Sequence, residues 1–173
     1  MARIIKHRAV IQDNWQLLEQ ESGGSLPSDG DVVVPLELWM RERDTLSSRL
    51  GHIGVWLQTD ADPSTIAQDL ARFEVIAVRF ASFTDGRGYT LARLLRERHG
   101  YRGELRAIGD VLRDQLCYLS RCGFDAFALR ADQNPEQALS AFDDFAEAYQ
   151  ASVERPEPLF RRRLQPNPQR KAA

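Results

Sequence analysis

Residues 75–98 read VIAVRFASFTDGRGYTLARLLRER, and this stretch decides the fold class of the chain. Its first six residues form an apolar run rich in β-branched side chains, which is typical of a buried β-strand. Its last eight residues place leucines three and four positions apart, which is typical of a helix that packs along one side. A loop with two glycines lies between the two elements. The stretch therefore predicts one strand–loop–helix unit, which is the repeating unit of parallel sheets.

The same unit recurs on both sides of this stretch. Other buried strands are predicted over IGVWLQ, GELRAIG and FDAFALR, and other helices over ADPSTIAQDLARF, DVLRDQLCYLSRCG and NPEQALSAFDDFAEAYQ. The helix limits follow from the N-cap residues Asp62 and Asn134 and from Gly123 as a closing glycine. Four strand–helix units imply an α/β fold with a mostly parallel sheet. The pattern leaves open whether this sheet stays open or curls into a half-barrel.

The chain is predicted to consist of three parts. Residues 1–31 form a small N-terminal β extension, in which strands precede a loop rich in Gly, Ser and Asp. Residues 32–150 form a single α/β domain. Residues 151–173 contain four prolines and six basic against two acidic residues, which predicts a disordered basic tail. The alternative for this tail is docking onto an acidic partner.

Length, charge and cysteine usage limit the possible function classes. With 173 residues the chain suits one soluble domain, and its net charge of −2 gives no support for nucleic-acid binding. Two cysteines without a disulfide framework favour a reduced protein. The sequence has neither a signal peptide nor a stretch long enough to cross a membrane. We therefore expect a cytoplasmic protein with no nucleic-acid or membrane partner.

Polar residues follow the predicted strands at their carboxyl ends, where the ligands of parallel α/β sheets bind. Arginine recurs among them, and guanidinium groups beside free backbone N–H donors suit a small anion such as phosphate or sulfate. Asp85 and Asp110 are the candidates for transferring a proton. The candidate ligand-binding residues are Ser82, Asp85, Gly86, Arg87, Gly88, Asp110, Arg113 and Arg130.

The FTDGRGYT loop has a purely structural interpretation as well. Asp85 can cap the helix that follows, and Gly86 and Gly88 can adopt positive φ angles that other residues avoid. Arg87 can then simply pair with Asp85 or Asp110. The sequence leaves both interpretations open.

No cofactor or metal site is predicted for this chain. The three histidines lie far apart, and the cysteines lack the C-x-x-C spacing of redox and cluster sites. A nicotinamide dinucleotide is kept as an alternative, because Gly86-x-Gly88 precedes a helix and Asp110 follows the next strand. Against it, Leu91 occupies the third glycine position of that fingerprint.

The segment from Phe80 to Arg130 resembles, as a whole, the bacterial domain-of-unknown-function family numbered 934. The resemblance rests on the combination of DGRGY, LLRER and RCGFDAF, and extends more loosely over residues 32–149. It implies a genomic neighbourhood beside the haemoprotein subunit of assimilatory sulfite or nitrite reductase, and a role in sulfite reduction. It implies no catalytic residues.

Two functions follow as expectations. The first is an accessory protein of assimilatory sulfite reduction, within sulfur assimilation, that binds the reductase or an anionic sulfur metabolite. The alternative is an oxidoreductase-type enzyme of the same pathway, with an arginine-lined site at the carboxyl ends of the strands. Whether the protein is an enzyme stays open at this point.

Overall fold

The chain folds around a single mixed β-sheet. A computed structural model describes residues 3–19, 27–145 and 148–164. These residues form eight strands, which are β1 Arg3–Lys6, β2 Ala9–Gln12, β3 Gln16–Leu17, β4 Val32–Pro35, β5 Ile53–Gln58, β6 Val75–Phe80, β7 Glu104–Gly109 and β8 Ala126–Phe127. Their order across the sheet is β2-β1-β8-β7-β6-β5-β4-β3, and the pairs that involve β1 are antiparallel while the others are parallel. The predicted α/β class, with N-terminal strands added to a mostly parallel sheet, is confirmed.

The sheet is strongly curled. Strands β2 and β3 lie at opposite edges of the sheet, yet only residues 13–15 separate them along the chain. The four chain steps from Gln12 to Gln16 reach at most about 14 Å. A flat sheet of eight strands would hold its edges about 34 Å apart. The two edges must therefore approach each other, and the half-barrel is the alternative that the structure adopts.

Within the described part of the chain, five α-helices accompany the sheet: α1 Leu36–Ser48, α2 Arg87–Arg93, α3 Leu116–Cys122, α4 Pro135–Ala138 and α5 Leu159–Leu164. A π-helical turn over Leu94–Arg98 extends α2. From β4 to β8 each parallel strand lies beside the next one in the chain, so right-handed connections place the intervening segments on one face of the sheet. We call this the outer face. None of the helices in the described ranges is long and apolar enough to cross a membrane.

Both faces of the sheet are packed. The larger core lies on the outer face, where Trp39 of α1 and Leu95 after α2 meet the strands. The smaller core fills the inner, concave face around Trp56 and Ile108, with Trp15 packed against it. Alternation along the strands separates the two cores, since successive side chains point to opposite faces.

Buried charges also line the inner face. Arg106 follows an outer-core leucine and precedes an outer-core alanine on β7, so it points inward, and it is 4% exposed. Its Nε donates to Glu104 Oε1 at 2.6 Å, and its Nη1 donates to Asp13 Oδ2 at 2.9 Å. Lys6 Nζ lies 2.7 Å from Glu104 Oε2. Asp13 belongs to the segment between β2 and β3, the two edge strands. This network therefore connects both edges of the sheet to β7 across the concave face.

The prediction of a helix over ADPSTIAQDLARF is wrong. The segment forms two short 3-10 turns, Pro63–Ile66 and Leu70–Arg72. Between them the buried Asp69 accepts a hydrogen bond from Trp39 Nε1 at 3.1 Å and pairs with Arg43 at 2.8 Å. These contacts with α1 fix the segment from outside, and such tertiary contacts override helix propensity.

Other predicted elements are shorter than expected, although their end signals are confirmed. The helix after β7 begins as a 3-10 turn and continues as α3, the last predicted helix is reduced to α4 and a 3-10 turn, and the FDAFALR strand is reduced to β8. Asp62 accepts from the Ser64 N–H, Asn134 accepts from the Gln137 N–H, and Gly123 closes α3 with a φ of 108°.

The segment predicted as a disordered tail contains described structure in its first half. The Val153 N–H donates to the Arg121 carbonyl at 3.1 Å, which attaches this segment to α3, and α5 follows. Backbone hydrogen bonds thus connect part of residues 151–164 to the domain, and the predicted disorder of residues 151–173 stays a prediction. The remainder of the predicted tail, residues 165–173, lies outside the described residues.

Candidate functional site

The carboxyl ends of β5, β6, β7 and β8 meet along one edge of the curled sheet, as parallel strands require. We call this edge the strand-end rim. Four of the predicted site residues, Asp85, Arg87, Asp110 and Arg130, lie together at this rim. The members of the rim are Thr59, Asp60, Ser82, Phe83, Asp85, Arg87, Asp110, Arg130 and Asp132.

One half of the rim centres on Arg87. Its Nε and Nη2 donate to the two oxygens of Asp85 at 3.0 and 2.8 Å, which is the fork geometry that guanidinium and carboxylate groups prefer. Its Nη1 reaches Asp60 Oδ2 at 3.3 Å. Thr59 Oγ1 donates to Asp85 at 2.5 Å, and this contact connects the loop after β6 to the end of β5.

The other half repeats this arrangement around Arg130. Its Nε and Nη2 donate to the two oxygens of Asp132 at 2.7 and 2.8 Å, and its Nη1 donates to Asp110 Oδ1 at 2.8 Å. The second oxygen of Asp110 accepts from the Phe83 N–H at 2.8 Å. Each arginine thus holds one carboxylate in a fork and a second carboxylate through its remaining nitrogen.

The charge of the rim is negative as a result. Two guanidinium groups face four carboxylates, those of Asp60, Asp85, Asp110 and Asp132. A small anion would have to displace a carboxylate before an arginine could bind it in a fork.

Protonation reinforces these pairs. The hydrogen bonds from the Arg87 side chain, and then from Thr59, lower the pKa of Asp85 well below its ordinary value. The hydrogen bonds from Arg130 lower the pKa of Asp132 to about 2. Asp85 is therefore ionised at neutral pH and lacks the proton that a general acid needs.

The backbone angles of the two glycines differ from those that the purely structural interpretation of the loop requires. The purely structural interpretation gave both glycines positive φ angles, and this part of it is wrong: Gly86 has a φ of −77°, and Gly88 lies within α2 at negative φ. A Cβ at Gly88 would lie 2.6 Å from the Phe80 ring, whereas a Cβ at Gly86 would meet nothing within 4 Å. Gly88 is thus needed for the close approach of α2 to β6. Gly86 occupies the N-cap position, and Asp85 Oδ1, one residue earlier, accepts from the Arg87 N–H at 3.1 Å.

Two predicted site residues take part less directly. Ser82 hydrogen-bonds within the loop to the Thr84 hydroxyl at 2.9 Å. Arg113 points away from the rim arginines and donates to Ser140 Oγ at 3.1 Å and to Asp144 Oδ1 at 2.9 Å. The ligand-binding role predicted for all these residues stays a prediction.

Phe83 is a rim residue that the sequence did not reveal. Its side chain is 50% exposed, although its backbone is held on both sides. The N–H donates to Asp110, and the carbonyl accepts from Gln115 Nε2 at 3.0 Å. The same Gln115 nitrogen donates to the Tyr89 hydroxyl at 3.1 Å, and the Tyr89 ring lies 5.1 Å from the half-exposed Tyr118 ring. No sequence signal identifies this aromatic surface, because exposure depends on how the loop folds back.

The geometry of the strand-end rim differs from that of a dinucleotide-binding site. Dinucleotide sites form where the strand order of an open sheet reverses, and from β4 to β8 the described strands follow chain order without a reversal. Six residues separate the end of β6 from the start of α2, where the fingerprint requires a tight turn. In the described ranges there is also no group of three or more His, Cys, Asp or Glu side chains that could hold a metal ion.

The fold and the rim together define a mixed α/β protein with a curled, mostly parallel sheet and an edge of paired charges. Residues 54–160 match the family described as "Bacterial protein of unknown function (DUF934)". This match covers well over half of the 173 residues, and the chain belongs to this family. A search of curated proteins found no match, and neither did a search of solved structures.

Proposed function

We propose that the protein is a cytoplasmic accessory protein of assimilatory sulfite reduction, and that it binds the haemoprotein subunit of the reductase through the strand-end rim. The link to sulfite reduction comes from the family resemblance. The observation that carries the binding role is Phe83, a half-exposed aromatic side chain on a loop whose backbone is anchored on both sides. Aromatic residues that lose little freedom on binding are frequent energetic centres of protein interfaces.

The paired charges favour a protein partner over a free sulfur oxyanion. A small anion must compete with four carboxylates for the two rim arginines. A protein surface can instead meet alternating positive and negative groups with its own, and such complementarity contributes specificity. Binding of an anionic sulfur metabolite is therefore the second ligand to test, after the reductase.

Affinity between the purified protein and the reductase subunit tests the proposal. We expect micromolar or tighter binding by calorimetry, and we expect Phe83→Ser to weaken it at least about tenfold, as interface centres do. Phe160→Ser is the matched control, because Phe160 is 52% exposed, like Phe83 at 50%, but lies on α5. Absence of a complex, or equal losses in both variants, would contradict the proposal.

A ligand screen addresses the enzyme alternative. Thermal stability is measured with sulfite, NADPH and NADH, since a ligand that binds the native state raises the melting temperature. Under the accessory role we expect no shift with either nucleotide. A saturable shift with one nucleotide, abolished by Arg87→Ala, would instead support an oxidoreductase-type enzyme.

A further inference from the structure

A groove at the opposite end of the strands carries a second candidate site. It runs between the turn that joins β1 to β2, the last residues of α3, Phe142 and residues 152–154. Two hollows, of about 160 and about 330 Å³, form it and share four lining residues, which are Arg8, Ser120, Phe142 and Glu154. We call it the amino-end groove, because it lies at the start of β8, beside Asp125.

The turn at the edge of this groove is strained. Lys6 pairs with Ala9, so β1 and β2 are joined by a two-residue turn whose central residues are His7 and Arg8. Both have positive φ angles, 48° and 63°. Turns of this type favour Asn-Gly, because side chains with a Cβ are disfavoured at positive φ. The chain instead places an imidazole and a guanidinium group there, and both line the groove. Backbone strain of this kind concentrates at functional sites.

The cationic groups of the groove are loosely held. Arg8 Nη1 lies 3.4 Å from Asp143 Oδ1, and its Nη2 lies 3.8 Å from Glu154 Oε1. Arg121 Nε is buried and has no hydrogen-bond partner among the described residues, while its Nη2 is 3.5 Å from the Gln150 carbonyl. Because these polar contacts are long, an anionic group that enters the groove can replace them with shorter charged hydrogen bonds.

The groove also has an apolar wall. The Arg8 guanidinium lies 5.3 Å from the centre of the Phe142 ring, and this ring lies 5.5 Å from the Phe127 ring. Phe145 lines the hollow next to Arg121 and is largely exposed. Two cations beside phenyl rings suit a ligand that joins an anionic group to an apolar body. The larger hollow, at about 330 Å³, lies at the small end of the range for ligand pockets, which is about 300–1,000 Å³.

We propose that the amino-end groove binds a small organic anion, a carboxylate or phosphate attached to an aromatic or aliphatic body. The anionic group lies between Arg8 and Arg121, with the Ser120 hydroxyl as a further donor, and the apolar body covers Phe142. Glu154 moves aside, since its contacts to Ser120 and Arg8 are 3.4 and 3.8 Å long. This inference is independent of the reductase-binding role, because the rim and the groove lie at opposite ends of the strands.

Nuclear magnetic resonance of the ¹⁵N-labelled full chain tests the proposal with phenyl phosphate as the probe. We expect saturable shifts of the Ser120, Gly123 and Val153 amides at millimolar probe. Inorganic phosphate and phenol, the two halves of the probe, should each bind at least about tenfold more weakly, because each satisfies only one wall. Absence of saturable shifts, or shifts confined to the rim, would overturn the proposal.

Two variants and one control test which residues of the groove contribute to binding of the probe. Arg121→Gln should weaken phenyl phosphate binding about tenfold or more, because charged hydrogen bonds contribute most of such recognition. Arg41→Gln, which removes an exposed guanidinium from α1, is the control and should bind like the unmodified chain. The double substitution His7→Asn with Arg8→Gly relieves the turn and keeps the fold, and it should also weaken binding. Equal affinity in all of these variants would refute the assignment.

Discussion

The two ends of the curled sheet use arginine in opposite ways. At the strand-end rim, Arg87 and Arg130 contact carboxylates at 2.7 to 3.3 Å, and each holds two. At the amino-end groove, the contacts of Arg8 and Arg121 are 3.4 to 3.8 Å long. The same side chain is thus committed to the fold at one end and available to a ligand at the other. Recurrence of arginine in the sequence identifies neither role, because neighbouring carboxylates decide it.

The largest effect on stability is expected for an arginine of the inner face whose contacts commit it to the fold. Arg106 is buried between Glu104 and Asp13, so Arg106→Met leaves carboxylates buried without their main partner. We expect a loss of about 3 kcal/mol in the free energy of unfolding, as for other disrupted buried ion pairs. Urea unfolding followed by circular dichroism measures it.

Arg79→Met is the control for this substitution. Arg79 also lies on the inner face, but near the carboxyl ends, where it pairs with the exposed Glu19 and stacks on Trp56. Its loss should cost at most about 1 kcal/mol, since partly exposed ion pairs contribute little. Equal losses in the two variants would show that burial does not distinguish these arginines.

The two glycines at the start of α2 give the next largest effect on stability. Gly88→Ala would place a methyl group 2.6 Å from the Phe80 ring, which is 2% exposed and cannot move away freely. We expect a loss of about 1–3 kcal/mol, as for other overpacked cores. Gly86→Ala is the matched substitution, because it meets open space at negative φ and should be neutral or slightly stabilising. A result with the two effects reversed would contradict the role assigned to Gly88.

The turn between β1 and β2 should give a smaller effect of opposite sign. Replacing His7 and Arg8 by Asn and Gly removes two side chains from positive φ positions, so the protein should gain about 1 kcal/mol of stability. For a domain of this size the melting temperature should rise by about 2–4 °C. A decrease would mean that contacts of His7 or Arg8 outweigh the strain. Gain in stability together with loss of phenyl phosphate binding is the signature of a turn kept for a ligand.

Sequence reasoning succeeded where local signals decide the structure. Apolar runs predicted the long strands β5, β6 and β7, and the caps at Asp62 and Asn134 and the closing Gly123 were placed correctly. It failed at the helix between β5 and β6, because the buried Asp69 is fixed by α1, which is distant in sequence. Boundaries depend on such tertiary contacts, whereas the parallel alignment of successive strands follows from the pattern.

The rim was predictable in position but not in chemistry. Carboxyl ends of parallel strands meet, so Asp85, Arg87, Asp110 and Arg130 could be placed along one edge from the strand pattern alone. That each arginine would take two aspartates could not be predicted, because Asp60 and Asp110 come from other loops than the arginines they contact. The groove was not predictable at all. Its lining joins the first turn of the chain to α3 and to residues near 153, and no local motif connects them.

The rim pairs should finally produce a small dependence of stability on pH. The pKa of Asp132 is lowered to about 2 by Arg130, while an unfolded aspartate has a pKa of about 3.9. The native state therefore holds the charged form more strongly. Its contribution is complete above about pH 4 and is lost as the pH falls towards about 2.

Asp132→Asn should consequently flatten the acid limb of the stability curve between about pH 4 and pH 2, because it removes the titrating group. Urea midpoints across this range measure the slope. Asp44→Asn, at an exposed carboxylate of α1, is the control and should leave the slope unchanged. Part of the slope should survive in Asp132→Asn, since the pKa of Asp85 is lowered in the same direction by Arg87. An unchanged slope in Asp132→Asn would mean that the fork between Arg130 and Asp132 does not persist in solution, and that Arg130 is less committed to the fold than its contacts indicate.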